Sequence, residues 1–508
     1  MARGLWCAAL VALFWSCSSD DSHPAGESGG NGNAGGDGNA GEPATGAGQP
    51  SSSAGSRNQP DAGAPSSSGG ASAEAGMSST SGGQAAGGAP AEAGASGAPQ
   101  ACYPAGCLNG GSCFPADGCH CTPAFTGPFC ELPRFEPLQL PGNAASASGV
   151  GLSSDGSVAV GNFGNGQNLV GFRWTHSGGV LAFDALPAQV GSSVTALSAD
   201  GLVAVGRSGA QNEAVRWPGG KLTPTSLLTA AWESLVPLYV SADGSVIAGT
   251  GVLTGGAAGA FRWTQASGPT SLGDFQSTNV YVTGMSSDGS VIIGNAGNGL
   301  NTTGYIWSSK AAGNKLGQLS KLNGDDHTNA LAVSPDGSLV VGDSIQTGAS
   351  SRRVRWTSKT TPILLDPADP GTPAWGCGGG PFSTCSGTST DGSVIYTQRN
   401  SIAQIWTAAK GLQALAVLQG KFNCVVSAPP HEPLLAGIAG TCLGPPIAVM
   451  WDAQRAVRRL DDVLATFGVT APEITNSTVS VSRATSANGD TVLGDNFNST
   501  VWIARPLP

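Results

Sequence analysis

The residues equipped for chemistry in this 508-residue chain fall into three groups. The first is Asn323-Gly-Asp-Asp-His-Thr-Asn329, which puts the carboxylates of Asp325 and Asp326 beside the imidazole of His327. Such a loop can take up a proton or hold a cation, since both tasks need lone pairs aimed at one point. A solvated polar loop has the same composition. The second group is Trp232-Glu233 and Trp375. An indole face with a carboxylate beside it is a platform for a sugar or a peptide; the alternative is a pair of indoles that anchor loops. Glycoside hydrolysis needs two carboxyl groups within about 10 Å of each other, and Glu233 with Asp325 is the pair that could supply them across one surface. The third group is cysteine: Cys377 with Cys385, and Cys424 with Cys442, are spaced for local disulfides, and with every exported cysteine so used no thiol is left as a nucleophile. His176 and His431 read as solvent-facing. The chain has no Gly-Xaa-Ser-Xaa-Gly elbow, no His-Glu-Xaa-Xaa-His pair and no phosphate loop. It asks for no cofactor and no resident metal.

Charge narrows the partners. Charged residues are 11% of the chain, against roughly 25% in an ordinary soluble domain. The net charge is −10, and residues 1–100 hold most of it, with two Arg, no Lys and eight Asp or Glu. A nucleic-acid binder needs clustered Lys and Arg to displace counterions, so nucleic acid is excluded as a partner.

The N-terminus reads as an export signal over residues 1–17. Arg3 supplies the positive end, Leu5 to Trp15 is apolar or small and too short to span a bilayer, and Ser16 precedes Cys17. This resembles a bacterial lipoprotein signal, which implies lipidation at Cys17 and a membrane lipid as partner, at the outer membrane or cell surface. Phe14 and Trp15 depart from the pattern, which prefers Leu and a small residue there, so an ordinary cleaved signal and a secreted or periplasmic protein are the alternative. Residues 18–100 are almost wholly Gly, Ala, Ser, Pro, Asn, Asp and Glu, with Met77 the largest apolar side chain. Such a segment cannot bury enough surface to offset chain entropy and reads as a disordered stalk with a reach of roughly 50 Å.

Residues 101–131 hold Cys102, Cys107, Cys113, Cys119, Cys121 and Cys130. So dense a set serves as cross-links or metal ligands, export favours cross-links, and spacing alone allows about 15 pairings. Cys107-Leu-Asn-Gly-Gly-Ser-Cys113, the single-residue gap of Cys119-His-Cys121, and Phe125 with Gly127 before the last cysteine resemble an EGF-like module. The resemblance implies Cys102–Cys113, Cys107–Cys119 and Cys121–Cys130. Ala98-Pro99-Gln100-Ala101 offers none of the acidic ligands of the calcium-binding version. The module serves either protein contact or as a stiff spacer.

From about residue 132 to 508 one unit recurs. Ser-Xaa-Asp-Gly followed by apolar residues and Gly stands at Ser153–Gly161, Ser198–Gly206, Ser241–Gly249, Ser286–Gly294 and Ser334–Gly342, with degraded copies at Ser389–Thr397 and Ser486–Gly494. Each is followed by a strand-like Trp: Trp174, Trp217, Trp263, Trp307, Trp356, Trp406 and Trp502. A further copy, Ser427 to Gly437 with Trp451, has lost its Asp-Gly. The Trp-to-Trp steps are 43, 46, 44, 49, 50, 45 and 51 residues. Four short apolar runs per unit, an Asp-Gly hairpin between the first two and almost no helical periodicity predict an all-β fold of four-stranded propeller blades. The hairpins with Phe172-Arg173-Trp174 and Phe261-Arg262-Trp263 resemble the bacterial extracellular HAF repeat, which implies fold more than activity. The last unit lacks a fourth strand, and Phe135-Glu-Pro-Leu-Gln-Leu140 can complete it and close the ring. Eight blades are expected, with seven the runner-up if the unit near Ser427 merges with a neighbour. The Trp residues should pack between blades, and the hairpin Asp residues should cap their own turns.

The loops after the second and fourth strands share the rim opposite the hairpins and carry the variation, including the longest insert, Asp366 to Cys385. The reading is an exported, lipid-anchored propeller that binds an extracellular protein or glycan through that rim without catalysis. The alternatives are a glycan hydrolase or lyase using rim carboxylates with His327, and a spacer with no ligand.

Overall fold

The computed structural model describes residues 106–507, apart from 115–117, 143, 166–167, 276, 299–300, 311–315, 348–349, 359, 368–385, 390–392, 400–401, 419–421, 428–434, 441–445, 453, 476–479 and 497–499. The expected export signal with Cys17, the stalk and Cys102 lie outside the described residues, as do Trp375, Cys377, Cys385, Asp391, His431 and Cys442.

The described residues form eight four-stranded antiparallel sheets, each meandering from its first strand to its fourth. Blade two is representative, with strands Ser192–Leu197, Ala204–Ser208, Glu213–Trp217 and Thr225–Ser226. Its hairpin shows why the repeat is written as it is. Ser198 Oγ donates to Asp200 Oδ1 at 2.5 Å and accepts from the Val203 amide at 2.8 Å, while Asp200 Oδ1 also accepts from the Leu202 amide at 2.9 Å. Gly201 adopts φ +71°, where a side chain is strained. The same Ser-to-Asp bond recurs at Ser153–Asp155, Ser241–Asp243, Ser286–Asp288 and Ser334–Asp336, so the expected caps are there. The Gly that ends the motif has a different reason. Each of these innermost strands carries an extra residue, between Pro237 and Tyr239 in blade three and between Ala330 and Ala332 in blade five. The bulge pushes a carbonyl at the second strand, and a β-carbon at Gly249 or Gly342 would collide with the carbonyl oxygen of Val236 or Asn329.

The Phe-Arg-Trp strand works on both its faces, because successive side chains alternate. Phe261 and Trp263 are buried with Val203, Val205 and Ala214 of the preceding blade. Arg262 points the other way, its guanidinium 5.7 Å from the Trp307 ring centroid of the next blade and its Nε donating to the Gly289 carbonyl at 3.1 Å. Arg216 over Trp263 and Arg355 over Trp406 repeat the contact at 4.5 and 4.7 Å. Burial of a side chain such as Phe261 contributes about 1.5–3 kcal/mol.

Eight apolar clusters, one at each junction between neighbouring blades, close the ring. Blade eight consists of Val481–Thr485, Val492–Asp495 and Val501–Ala504, completed by Phe135–Pro137 in register Trp502↔Pro137 and Ala504↔Phe135. The runner-up of seven blades is corrected: Phe422–Ser427, Leu435–Gly440, Ile447–Trp451 and Val457–Arg459 make a sheet of their own around the lost Asp-Gly.

Two further details depart from expectation. Trp502 does not continue the Trp series, since it faces Gly494 as Phe261 faces Gly249, and Ala504 stands where the other blades have Trp. The indole N–H groups of Trp217, Trp356 and Trp451 reach carbonyls at 2.8–3.1 Å, whereas Trp502 Nε1 is buried with no partner among the described residues. Two short helices also appear where no helical period was read, α1 (Leu460–Ala465) and α2 (Pro472–Thr475). Leu460, Leu464 and Ile474 from this insert pack with Met450, Trp502 and Ala504, filling the junction that the missing Trp leaves short of volume.

Residues 106–133 form a small unit of two hairpins, Ser112–Phe114 with Gly118–His120 and Phe125–Thr126 with Leu132–Pro133. Disulfides join Cys107 to Cys119 and Cys121 to Cys130, and Cys113 is disulfide-bonded as well. Among the described residues no helix is long and apolar enough to cross a membrane.

Candidate functional site

Strand direction divides the ring into two rims. The hairpin rim carries the turns between first and second and between third and fourth strands; the loop rim carries the other connections. On the hairpin rim the chemistry is repeated. Hydrogen bonds from Ser241 and Ser245 hold the Asp243 carboxyl below its ordinary value, and Ser334 and Ser338 do so for Asp336. At Asp155 partial burial pushes upward and is outweighed by hydrogen bonds from Ser153 and Ser157. Adjacent hairpins are tied by their backbones: the Ser154 amide bonds Ala199 O, Asp200 bonds Ala242 O, Ala242 bonds Ser287 O, and Ala487 of blade eight bonds Ser154 O of blade one. The aspartates of the Ser-Xaa-Asp-Gly motif on this rim cap their own turns, and Asp288 also pairs with Lys310 at 2.9 Å.

On the loop rim each residue has its own role. Trp232 is corrected as a ligand platform: it is 4% exposed, packs edge-on to Phe261 at 5.9 Å, and donates from Nε1 to Pro269 O at 3.4 Å. It opens the first strand of blade three, where a bulge between Trp232 and Ser234 leaves Trp232 and Leu235 both on the buried side. Glu233 is consequently outward and exposed, accepting from the Gly255 amide at 3.1 Å across the neighbouring loop.

Asp325, Asp326 and His327 do not converge. The Asp325 side chain is 0% exposed, with Oδ1 paired to Arg352 Nη2 and Oδ2 accepting from Ser344 Oγ, so it is a structural anion rather than a free base. The proposed pairing of Glu233 with a free Asp325 is thereby lost. Asp326 points outward, accepts from the Thr347 amide at 2.9 Å, and is held below its ordinary value chiefly by that bond. His327 begins the first strand of blade five, half-buried opposite Ile345. His176 is exposed, as expected. It lies on the hairpin rim with Nδ1 3.0 Å from Glu136 Oε2, bridging blade one to the closing strand. Cys424 is disulfide-bonded. Among the described residues no group of three His, Cys, Asp or Glu side chains is placed to hold a metal.

A cleft of about 360 Å³ lies along the insert, lined by Asp461, Asp462, Ala465, Val469, Pro472 and Thr475 among others. Asp461 is paired with Arg459 at 2.7 Å, and Asp462 is exposed at the mouth.

Sequence reading missed the residues that follow the motif-ending Gly. Asn162 makes a two-point pair with the backbone of Val194 in the next blade, at 2.8 and 3.0 Å, and Asn295 does the same with Ala330 at 2.7 and 2.9 Å. Asp495 takes that place at the seam, accepting from the Gly149 amide at 3.1 Å and held by Arg483 at 2.6 Å. The signal was a Gly-Asn or Gly-Asp pair at one repeat position.

The chain matches no family profile and no curated protein. Among solved structures, a putative TolB from Agrobacterium tumefaciens is similar at 16% identity and TM-score 0.32, over 45% of this chain and 82% of that one. A prolyl endopeptidase is similar at 11% identity and TM-score 0.44, over 62% of this chain and half of that one. An oligogalacturonate lyase from Vibrio parahaemolyticus is similar at 12% identity and TM-score 0.42, over 63% of this chain and 98% of that one.

Proposed function

We propose that this protein is an exported propeller, held at the outer membrane or cell surface by an acyl group on Cys17, whose loop rim binds an extracellular protein or glycan without catalysis. The observation that carries the reading is the asymmetry of the two rims. The hairpin rim spends its polar groups on repeated turns, whereas Glu233, Asp326 and the loops around them are single departures from the repeat, presented outward. Strand direction supports it. The closing strand enters at the hairpin rim, beside the unit of Cys107 to Cys130, which leaves the rim of Glu233 and Asp326 clear of that unit. In this reading the disulfide unit is an EGF-like module and the ring a set of HAF repeats.

The full chain tested on glycan arrays and against cell-envelope proteins should show saturable binding. Glu233→Ala with Asp326→Ala should weaken it about tenfold or more, an effect of the size expected for an interface residue that matters. Asp200→Asn on the hairpin rim should not. The reverse pattern would place the site on the wrong rim. Cys17→Ser should move the protein from the membrane fraction to the soluble one. Turnover of a polysaccharide, abolished by Asp326→Asn or His327→Ala, would favour the hydrolase or lyase reading instead.

A further inference from the structure

We propose that the Cys121–Cys130 loop is a clamp on the strand that closes the propeller ring. Residues 132–138 run as one extended segment with two successive partners. Toward the disulfide unit, Leu132–Pro133 pairs with Phe125–Thr126, and the Arg134 amide donates to Ala124 O at 3.0 Å. Toward blade eight, the Arg505 amide donates to Arg134 O at 2.7 Å, Phe135–Pro137 pairs with Trp502–Ala504, and the Leu138 amide donates to Val501 O at 2.8 Å. The Cys121–Cys130 bridge spans the first partner strand, so the closing strand is held against a covalently closed loop before it meets the ring.

Two buried arginines lock the crossing. Arg134, 6% exposed, donates from Nε to Pro123 O at 2.8 Å and from Nη1 to the carbonyls of Arg505 and Leu507, with its guanidinium 4.0 Å from the Phe467 ring centroid. Arg505, 5% exposed, donates from Nη1 to Pro133 O at 2.7 Å and lies 3.5 Å from Glu136, which also meets His176 of blade one. The bonds from Arg134 to the carbonyls of Arg505 and Leu507 join residues 371 and 373 positions apart. Every other blade draws its fourth strand from its own hairpin, where the cost of bringing ends together is small; this one must be brought in from the far end of the chain. A ribbon already extended along a cross-linked unit removes part of that cost.

The test is native-state hydrogen exchange on the full chain, comparing wild type with the double variant Cys121→Ser, Cys130→Ser. The amides of Leu138 and Arg505 should exchange about tenfold faster or more, while those of blades two and three keep their protection, because opening is local. Should the variant fail to fold, wild type is reduced with a limiting amount of a water-soluble phosphine, and the comparison is made on the fraction that peptide mapping shows to be opened at Cys121–Cys130 alone. The disulfide takes two electrons and two protons to become two thiols, and the phosphine becomes its oxide with oxygen from water. Protection at Leu138 and Arg505 that is unchanged, or that falls equally in every blade, overturns the proposal.

Discussion

On the hairpin rim, Ser198, Asp200 and Val203 of blade two make the bonds that Ser241, Asp243 and Val246 make in blade three. On the loop rim of the same ring, Trp232 turns under, Glu233 caps a neighbouring loop, and Asp325 is sealed against Arg352. Both rims end the same strands, yet one is a device copied from blade to blade and the other a set of single solutions. The difference teaches that in a repeat protein an acidic residue is interpretable only after its repeat position is known. A carboxylate at a repeated position serves the turn; one at a unique position is either a structural anion or free to meet a partner, and its burial decides which.

The largest expected effect tests that last distinction. Asp325→Ala should destabilise the protein by about 3 kcal/mol in urea unfolding, since it strands the Arg352 guanidinium beside a buried hole. The double variant Asp325→Ala, Arg352→Ala should cost less than the sum of the singles. A cost near zero would return Asp325 to the list of free rim carboxylates. Next, Gly342→Ala should cost about 2 kcal/mol, because the bulged Asn329 carbonyl fills the space of the new methyl and must shift. Ser198→Ala should cost about 1–2 kcal/mol by leaving the Val203 amide buried without an acceptor, and Ser241→Ala should match it if the hairpins are truly one device.

Smaller still is a pH effect. The folded carboxyl of Asp243 lies below its unfolded value, so its contribution is fully present above the ordinary carboxylate range of about 4 and is lost as pH falls through the folded value. The stability gap between wild type and Asp243→Asn should therefore be widest near neutrality and narrow in acid; a gap that widens in acid contradicts the hydrogen-bonding account. Smallest of all, Glu233→Ala should leave the unfolding midpoint unchanged, because its one hydrogen bond among the described residues is to an exposed loop amide. Any role of Glu233 should appear in binding alone.

Much of this architecture is carried by local chemistry. Asp-Gly demands a tight turn at Gly201, alternation makes Phe261-Arg262-Trp263 two-faced, and an unmatched strand at Phe135 has one vacancy to fill. These features repeat, and a repeat is legible without knowing what it touches. The candidate site was less legible because burial depends on neighbours far along the chain. Trp232 looked like a platform until Phe261 and Pro269 covered it. Asp325 beside Asp326 and His327 looked like a constellation until a bend sent one carboxylate inward to Arg352 and the other out to Thr347. Trp502 counted as a blade tryptophan by spacing, and only the register with Gly494 moved it to the Phe position, with helix α1 making up the lost volume.

The sequence by itself determined the strand periodicity and the turns, because each follows from residues within one repeat length, and the means of closing the ring, because a last unit short of a strand and a spare strand before the first unit show once the repeats are aligned. Only the tertiary structure decided which polar side chains are sealed at blade junctions and which face water, and that the disulfide unit grips the closing strand. Those outcomes depend on contacts between segments up to 373 residues apart, which no local pattern encodes.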